Sequence, residues 1–336
     1  MLAAQRPLYG DLKNSRAFPT GGTLGEGRSD DINDSGRSCD PSPASLDGSA
    51  RICRIEVYSP TVAYERESEV ARTAARAAGE ILLRHYQTGT TEWQKSADNP
   101  VTLADLESER EIVCRLRENF PNDCILSEES ARDPERGAVR RVWIVDPMDG
   151  TKEFVSRIPE FAISIALVAD GIPIVGVIHN PTVGIEVSAV SGGGTYRNGE
   201  RTRVSRCSDL AQAVVIASRS EIGRGEFKAY EGWFRELRPV GSIAWKLACI
   251  AGGDADLNVS VAPKNEWDVC AGDLLVREAG GIYCAFDGGR RRYNQPNTLI
   301  AVGMAAGPPA LVTAFGRRWQ QAQNPLSPTA APADSC

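Results

Sequence analysis

The sequence of 336 residues has only two histidines, three methionines and nine cysteines, and it contains no Cys-x-x-Cys pair. Two histidines argue against a zinc site built on imidazoles. Nine scattered cysteines are too few for a disulfide scaffold, which favours a reducing, cytoplasmic compartment. No apolar run approaches the roughly 18–20 residues of a membrane span. Positive charge is also not in excess: the net charge of −6 excludes a general attraction for nucleic acid polymers.

The composition, 42% hydrophobic and 24% charged, is that of an ordinary globular protein. The first residues differ from the rest of the chain. The stretch 1–56 is rich in Gly, Ser, Asp, Asn and Pro and has no helical or strand period. We expect a disordered extension there, or a start codon set too far upstream. The Pro-, Ala- and Ser-rich stretch 321–336 predicts a flexible tail. Between them, 57–320 predicts one folded unit, with lobes over about 57–200 and 201–320.

Apolar periodicity divides this unit into elements. Helices are expected over 62–87, 102–120, 225–237, 242–251 and 268–279, the second with a capping box formed by Thr102 and Asp105. Strands are expected over 124–126, 142–145, 161–168, 172–178, 185–190, 213–217 and 281–285. Helices followed by a β-rich middle and a mixed end indicate layered α/β packing rather than a Rossmann repeat.

Acidic side chains follow several of these apolar elements. Glu128 follows the run 124–126, Asp146 and Asp149 follow 142–145, and Asp268 lies at the start of a helix, as does Asp105. Each alone has a plainer explanation as a turn, a solvated loop or a helix cap. Together they favour a cation site, because carboxylates held close repel one another and hard oxygen ligands suit Mg²⁺ or Mn²⁺.

The segment after Val145 has a composition that predicts a turn. Pro147 fixes φ and removes a donor, and Gly150 permits a left-handed conformation. We expect the chain to turn sharply here, so that Asp146 and Asp149 point at one volume with the Met148 carbonyl between them. Two cations about 3.5–4 Å apart in such a site can activate water and stabilise a leaving oxygen in phosphoryl transfer.

Two segments carry a resemblance to a known family. The sequence WIVDPMDGTKEF over 143–154 and EWDVCAGDLLVREAGG over 266–281 resemble the two signatures of the inositol monophosphatase superfamily. The order also fits the family, with KSADNPVTLAD and ILSEES upstream of the first signature and GSIAWKLACIAGGDADL between the two, so the resemblance covers about 62–302. It implies an αβαβα sandwich of the sugar phosphatase type.

Within the superfamily, Asp-Gly-Thr-Lys-Glu-Phe is similar to the CysQ-type 3'(2'),5'-bisphosphate nucleotidases of sulfur metabolism. This implies hydrolysis of 3'-phosphoadenosine 5'-phosphate to AMP and phosphate, by a metal-activated water without a covalent intermediate, and inhibition by lithium. Inositol 1-phosphate, a sugar or histidinol phosphate, and fructose 1,6-bisphosphate remain alternative substrates. A non-catalytic metal- or nucleotide-binding protein on the same fold is an alternative of another class. The partner is expected to be a small phosphate ester, and a homodimer is one option for the assembly.

The resemblance also implies residue roles. Two Mg²⁺ are implied, one held by Glu128, Asp146 and the Met148 carbonyl, the other by Asp146, Asp149 and Asp268. A weaker third site would use Asp105 and Glu128.

The implied catalytic pair is Thr151 with Asp105, which would orient and deprotonate the attacking water. Implied substrate contacts are Gly150, Thr151, Lys152, Gly241, Ser242 and Asp268, with Lys152 near a second phosphate. The neighbouring stretch Lys264, Asn265 and Glu266 either lines the same pocket or forms a surface loop.

Overall fold

The computed structural model describes residues 63–96, 99–129, 133–286 and 289–323. The extension expected at 1–56 and residues 324–336 of the expected tail lie outside the described residues. Residues 321–323 of that tail belong to the last helix, so the folded part passes the boundary expected at 320. None of the helices in the described ranges combines the length and the apolar composition that a membrane span requires.

The described residues contain seven α-helices. They are α1 (Glu65–Thr88), α2 (Leu103–Asn119), α3 (Thr151–Val155), α4 (Arg219–Gly223), α5 (Ile243–Gly252), α6 (Glu266–Glu278) and α7 (Pro309–Gln323). The capping box expected at α2 is confirmed, because Thr102 Oγ1 accepts the Ala104 N–H and Asp105 Oδ2 accepts the Thr102 N–H. Helix α7 was not expected from the sequence.

The helix expected over 225–237 is wrong. The segment forms a 3₁₀ turn at Lys228–Tyr230 and then enters a strand at Glu236. Gly225 and Gly232 both take positive φ angles, which end a right-handed helix. Tyr230 and Trp233, spaced as on a helix, instead pack against the ring of Phe315 on α7.

Sixteen strands lie in the described ranges. They are β1 (Glu92–Ser96), β2 (Asn99–Thr102), β3 (Cys124–Ser127), β4 (Arg141–Asp149), β5 (Ala162–Ala169), β6 (Ile172–Asn180), β7 (Ile185–Val190), β8 (Gly194–Arg197), β9 (Glu200–Thr202), β10 (Val214–Ser218), β11 (Glu236–Val240), β12 (Leu257–Ser260), β13 (Lys264–Asn265), β14 (Ile282–Ala285), β15 (Leu299–Ile300) and β16 (Met304–Gly307). Every strand expected from the sequence is present, with ends shifted by a few residues.

Most of these strands form two sheets. The first has the order β3-β4-β5-β6-β7-β8-β9 and is antiparallel except for the parallel pair β3-β4. The second has the order β11-β10-β12-β16-β14, in which β10 runs parallel to both of its neighbours. The remaining strands form two small pairs, β1-β2 and β13-β15.

The helices separate and cover the two sheets. Helices α1 and α2 pack on one face of the first sheet, α5 and α6 lie between the sheets, and α7 packs on the second sheet. Alternate residues of β10 mark the two faces of the second sheet: Val215 and Ala217 belong to the core with α7, and the intervening residues face the other way. The layered αβαβα fold expected from the sequence is confirmed.

Candidate active site

One cavity of about 280 Å³ collects most of the residues that the sequence singled out. Its walls include Glu128, Asp146, Met148, Asp149, Gly150, Thr151, Lys152, Gly241, Ser242 and Asp268. Lys264 and Asn265 also line it, which favours the pocket alternative for these two residues over the surface-loop alternative.

A β-bulge in β4 directs two carboxylates to the same side. Asp146 pairs with Ser164 of β5, and Asp149 pairs with Ala162, so β4 has one more residue than its partner in this interval. Residues three apart on a regular strand point to opposite faces; one extra residue restores the same side. The sharp turn expected at Pro147 is therefore wrong, because the strand continues to Asp149. The bulge, and not a turn, brings the two carboxylates to the same side.

The parallel pair β3-β4 brings Glu128 to the same edge. Ser127 pairs with Val145, and the Glu128 N–H donates to the Val145 carbonyl at 3.2 Å. Helix α2 fixes the bulge from behind, since Ser108 Oγ donates to the Pro147 carbonyl at 2.9 Å. The end of β3 thus holds its glutamate next to the bulge of β4.

Two helix starts contribute the remaining acidic contacts. Asp149 Oδ2 accepts the Ser242 hydroxyl and the Ala244 N–H, each at 2.6 Å, at the start of α5. Asp268 lies in the first turn of α6, where its Oδ2 accepts the Asn265 N–H at 2.7 Å. The cap of α6 is therefore Asn265, and the helix begins two residues earlier than the expected start at Asp268.

The predicted catalytic pair is in hydrogen-bond contact. Thr151 Oγ1 lies 3.0 Å from Asp105 Oδ1 and 3.3 Å from the Met148 carbonyl. A hydroxyl has one proton, so it donates to one of the two, and Asp105 is the nearer acceptor. Asp105 lies behind the cavity wall, and burial raises its pKa to about 6 against the opposing hydrogen bonds from Thr102 and Thr151.

Gly150 allows the chain to turn tightly just before Thr151. Its φ of +99° lies in the left-handed region, and a Cβ atom there would stand 2.9 Å from the Glu160 carbonyl oxygen. Thr151 then begins α3. A side chain at 150 would therefore collide with the backbone of Glu160 and Phe161.

Electrostatic repulsion is concentrated at the bulge. Burial raises the pKa of Asp146 well above its usual range, and the nearby carboxylates of Glu128, Asp149 and Asp268 raise it further. Burial also raises the pKa of Asp268, again with Asp149 and Glu128 adding to the effect. Asp146 Oδ1 accepts the Met148 N–H at 3.0 Å, whereas its buried Oδ2 has no hydrogen-bond partner.

Comparison with known proteins identifies the family. Residues 63–320 match the model of the inositol monophosphatase family. The chain belongs to the inositol monophosphatase family.

Three relatives illustrate the family's range of names. The chain is 34% identical over 231 residues to a protein of Thermotoga maritima named fructose-1,6-bisphosphatase/inositol-1-monophosphatase, covering 68% of this chain and 88% of that one. It is 33% identical over 258 residues to Nus factor SuhB of Escherichia coli K12, covering 73% and 92%. The crystal structure of CysQ from Bacteroides thetaiotaomicron is similar with a TM-score of 0.61 and 30% identity, covering 73% and 98%. CysQ is thus one neighbour among several.

Inositol monophosphatase family proteins are phosphatases and generally depend on Mg²⁺. The residues of this chain fit that ion, because an orphaned, buried carboxylate oxygen and a set of mutually repelling carboxylates are what a hard cation satisfies. In the described part of the chain, no three acidic, imidazole or thiol groups converge tightly enough to enclose an ion by themselves. We expect water and phosphate oxygens to complete the coordination shell, as Mg²⁺ usually retains several waters.

Some predicted residues do not join the cavity in the expected way. Both oxygens of Asp105 accept hydrogen bonds from Thr102 or Thr151, so the third cation site with Glu128 stays a prediction. Glu266 points away from the cavity and accepts the N–H groups of Asn294 and Gln295.

The structure adds cavity residues that sequence reasoning missed. They are Pro100, Glu153, Ser218, Ser220, Ile243 and Lys246. Lys246 had a signal in the sequence: it is a single charge within a nine-residue stretch of α5 that is otherwise apolar and wholly buried. Burial lowers its pKa to about 8, so at neutral pH the ammonium form predominates. Glu153 could not be assigned to the cavity from the sequence, because its place there depends on the contact between its side chain and Gly241.

Proposed function

We propose that this chain is a Mg²⁺-dependent phosphomonoesterase that uses Thr151 and Asp105 to handle the attacking water. The observation that carries the proposal is the β4 bulge, which aims Asp146 and Asp149 at one cavity and leaves Asp146 Oδ2 buried without a partner. Glu128, Asp146, the Met148 carbonyl, Asp149 and Asp268 would hold two Mg²⁺. When bound, Mg²⁺ lowers the pKa of a coordinated water and offsets the charge of the phosphate.

The chain's own groups have separate tasks in this proposal. Thr151 Oγ1 orients the water and accepts its proton, while the threonine's own hydroxyl proton moves to Asp105 Oδ1, 3.0 Å away. Asp105 stays in place because Thr102 binds its other oxygen twice. The N–H groups of Gly150 and Thr151 bind phosphate oxygens, and Ser242 and Gly241 line the side where the leaving group would lie.

The first candidate substrate is 3'-phosphoadenosine 5'-phosphate. Two observations support it: the Thr151-Lys152-Glu153 sequence and the likeness to the CysQ structure. Lys152 also lines the cavity and would supply positive charge for a second phosphate.

A phosphate ester with a single phosphate, such as inositol 1-phosphate, is the second candidate. The cavity has five carboxylates and three lysines, a formal charge of −2, which two Mg²⁺ would change to +2. A charge of +2 neutralises one phosphate dianion, whereas a bisphosphate would carry more negative charge than the cavity neutralises. The name of the Thermotoga maritima relative includes inositol-1-monophosphatase, which supports this candidate, but also fructose-1,6-bisphosphatase, which refers to a bisphosphate.

A substrate panel tests the proposal. We would measure kcat/KM for phosphate release from 3'-phosphoadenosine 5'-phosphate, inositol 1-phosphate, fructose 1,6-bisphosphate and histidinol phosphate, with Mg²⁺ and with Mg²⁺ plus Li⁺. We expect at least one ester to be cleaved and Li⁺ to inhibit its cleavage. A large preference for inositol 1-phosphate would remove only the first candidate. Binding of Mg²⁺ without turnover of any ester would favour the non-catalytic alternative.

A further inference from the structure

The buried ammonium group of Lys246 has an unusual place in the fold. Its Nζ donates to the Val240 carbonyl at 3.1 Å and to the Ser242 carbonyl at 2.9 Å. Val240 ends β11 and Ser242 caps α5, so the two carbonyls flank the short connection between these elements. A cation here is unfavourable, because burial removes its water and because the start of a helix is itself positive. A residue kept at such a cost is expected to have a specific task.

The connection that Lys246 binds contains a strained residue. Ser242 has φ +51° and ψ 119°, a conformation that residues other than glycine rarely adopt. Such conformations persist only where the surroundings enforce them. Glu160 Oε2 accepts the Gly241 N–H at 2.7 Å from one side, and the two hydrogen bonds from Lys246 act from the other.

The strained conformation has a direct consequence for a predicted metal ligand. With Ser242 in this state, its hydroxyl and the Ala244 N–H both donate to Asp149 Oδ2 at 2.6 Å. This oxygen is thereby committed to α5, and the carboxylate cannot rotate without losing two short hydrogen bonds. Asp149 Oδ1 is left for a ligand in the cavity that Asp149 lines.

We propose that Lys246 is a positioning residue for Asp149. By binding the carbonyls on either side of Gly241, it holds Ser242 at positive φ, and Ser242 in turn fixes the rotation of the Asp149 carboxylate. The inference rests on the proposed function, since the role of Asp149 as a Mg²⁺ ligand belongs to that proposal. It assigns to Lys246 no contact with the substrate and no proton transfer.

Positioning and simple charge effects predict opposite results for Lys246→Met. If Lys246 acted only through its charge, its loss would remove a cation near the metal ligands and tighten Mg²⁺ binding. If Lys246 positions Asp149, its loss weakens Mg²⁺ binding and slows the reaction. The sign of the change in Mg²⁺ affinity therefore separates the two explanations.

The experiment compares wild type, Lys246→Met and the surface control Lys228→Met. Thermal unfolding is followed as Mg²⁺ is added without substrate, and kcat and KM are measured with an ester that the wild type cleaves. We expect Lys246→Met to need about tenfold more Mg²⁺ for half of the thermal shift and to lose about 10- to 100-fold in kcat. KM should change by less than about threefold, and Lys228→Met should match the wild type.

A second arm tests the route through Ser242. Glycine adopts positive φ without strain, so the effect of Lys246→Met on Mg²⁺ affinity should shrink to under about threefold in a Ser242→Gly background. Full additivity of the two substitutions would overturn the proposal, as would Mg²⁺ binding by folded Lys246→Met that equals or exceeds the wild type. If Lys246→Met does not fold, Lys246→Gln is measured by the same criteria.

The thermal titration does not depend on turnover, so the two proposals can fail separately. If the wild type cleaves no ester but Mg²⁺ stabilises it and Lys246→Met weakens that effect, the proposed function fails and the role of Lys246 stands. If the wild type is active and Lys246→Met binds Mg²⁺ normally, the role of Lys246 fails and the proposed function stands.

Discussion

Asp146 is the residue at which stability and the proposed function conflict most directly. Its side chain is 1% exposed, one of its oxygens has no hydrogen-bond partner, and three other carboxylates lie near enough to raise its pKa beyond the effect of burial. An arrangement of this kind lowers the stability of the metal-free protein and is relieved by a bound cation.

Asp146→Asn should therefore stabilise the protein when metal is absent. The amide removes the charge repulsion and can still accept the Met148 N–H, so we expect Tm to rise by about 2–4 °C, the shift that roughly 1 kcal/mol gives. Added Mg²⁺ should stabilise the wild type and leave the variant unchanged. Thermal unfolding with EDTA and with Mg²⁺ measures both effects.

Asp170→Asn is the matched control for this measurement. Asp170 has a φ of +49°, which asparagine tolerates, and its carboxylate pairs with Arg140 on the surface. This control should respond to Mg²⁺ as the wild type does. An Asp146→Asn protein that Mg²⁺ stabilises as much as the wild type would contradict the metal role of Asp146.

Thr151→Val should lower kcat by about 10²–10⁴-fold with little change in KM. Valine keeps the shape of threonine but cannot relay a proton to Asp105, while phosphate contacts through the backbone N–H groups remain. Thr151→Ser restores the hydroxyl and should recover most of the activity. Steady-state kinetics of both variants tests this, and equal losses in the two would argue that the methyl group rather than the hydroxyl matters.

At the scale of elements, apolar periodicity predicted the expected strands and four of the five expected helices, but not the bulge in β4. The strand before Asp146 and helices α1, α2, α5 and α6 follow from periodicity and caps. The bulge in β4 could not be predicted, because it depends on the register with β5 and not on the composition of β4. Pro147 and Gly150 marked the place where the backbone departs from a regular strand, but the departure is a bulge and not the expected turn.

Hydrogen bonds to a buried glutamate hold α4 to the end of β12 and to the segment that leads to α6. Glu221 on α4 accepts hydrogen bonds from Ser260 Oγ at 2.7 Å, the Val261 N–H at 2.9 Å and Lys264 Nζ at 3.1 Å. Burial acts to raise the pKa of Glu221, but Lys264 and these hydrogen bonds outweigh it and lower the pKa below the ordinary glutamate value. This contact fixes Lys264, which lines the cavity.

The lowered pKa of Glu221 predicts a dependence of stability on pH. The contribution of Glu221 is fully present above the pKa of an unfolded glutamate, about 4.3, and is lost as pH falls through the lower folded value. Glu221→Gln should reduce the free energy of unfolding by about 3 kcal/mol at pH 7. The difference from the wild type should shrink below pH 4.3.

Urea unfolding of both proteins at pH 7, 5 and 3.5 measures this difference. Glu231→Gln is a control on the same part of the chain, since Glu231 is exposed and should show no such trend. A difference between Glu221→Gln and the wild type that stays constant over the three pH values would contradict the assignment of the charged, paired form to Glu221.

At the scale of the whole molecule, the family match begins at residue 63 and ends at residue 320. Both sheets, the intervening helices and every residue proposed for the site lie within these limits. The layered fold could be predicted because it follows from the order of elements, whereas the grouping within the family could not, because Lys152 and Glu153 alone carried it.

A chain that begins at Val57 should keep its activity. It retains the matched region, so we expect kcat/KM within about twofold of the full chain and the same response to Mg²⁺. Kinetics and thermal unfolding of the two chains measured side by side test this. A loss of activity with an unchanged fold would assign the first 56 residues a direct part in the reaction.

The central claim is that this carboxylate cavity binds Mg²⁺ to cleave a phosphate monoester. The most direct test is phosphate release by the full chain, first stripped of metal with EDTA and then titrated with Mg²⁺, on the four esters of the panel. We expect no release in EDTA and a saturable return of activity on at least one ester as Mg²⁺ is added. Release that persists in EDTA, or none on any ester at saturating Mg²⁺, would contradict it.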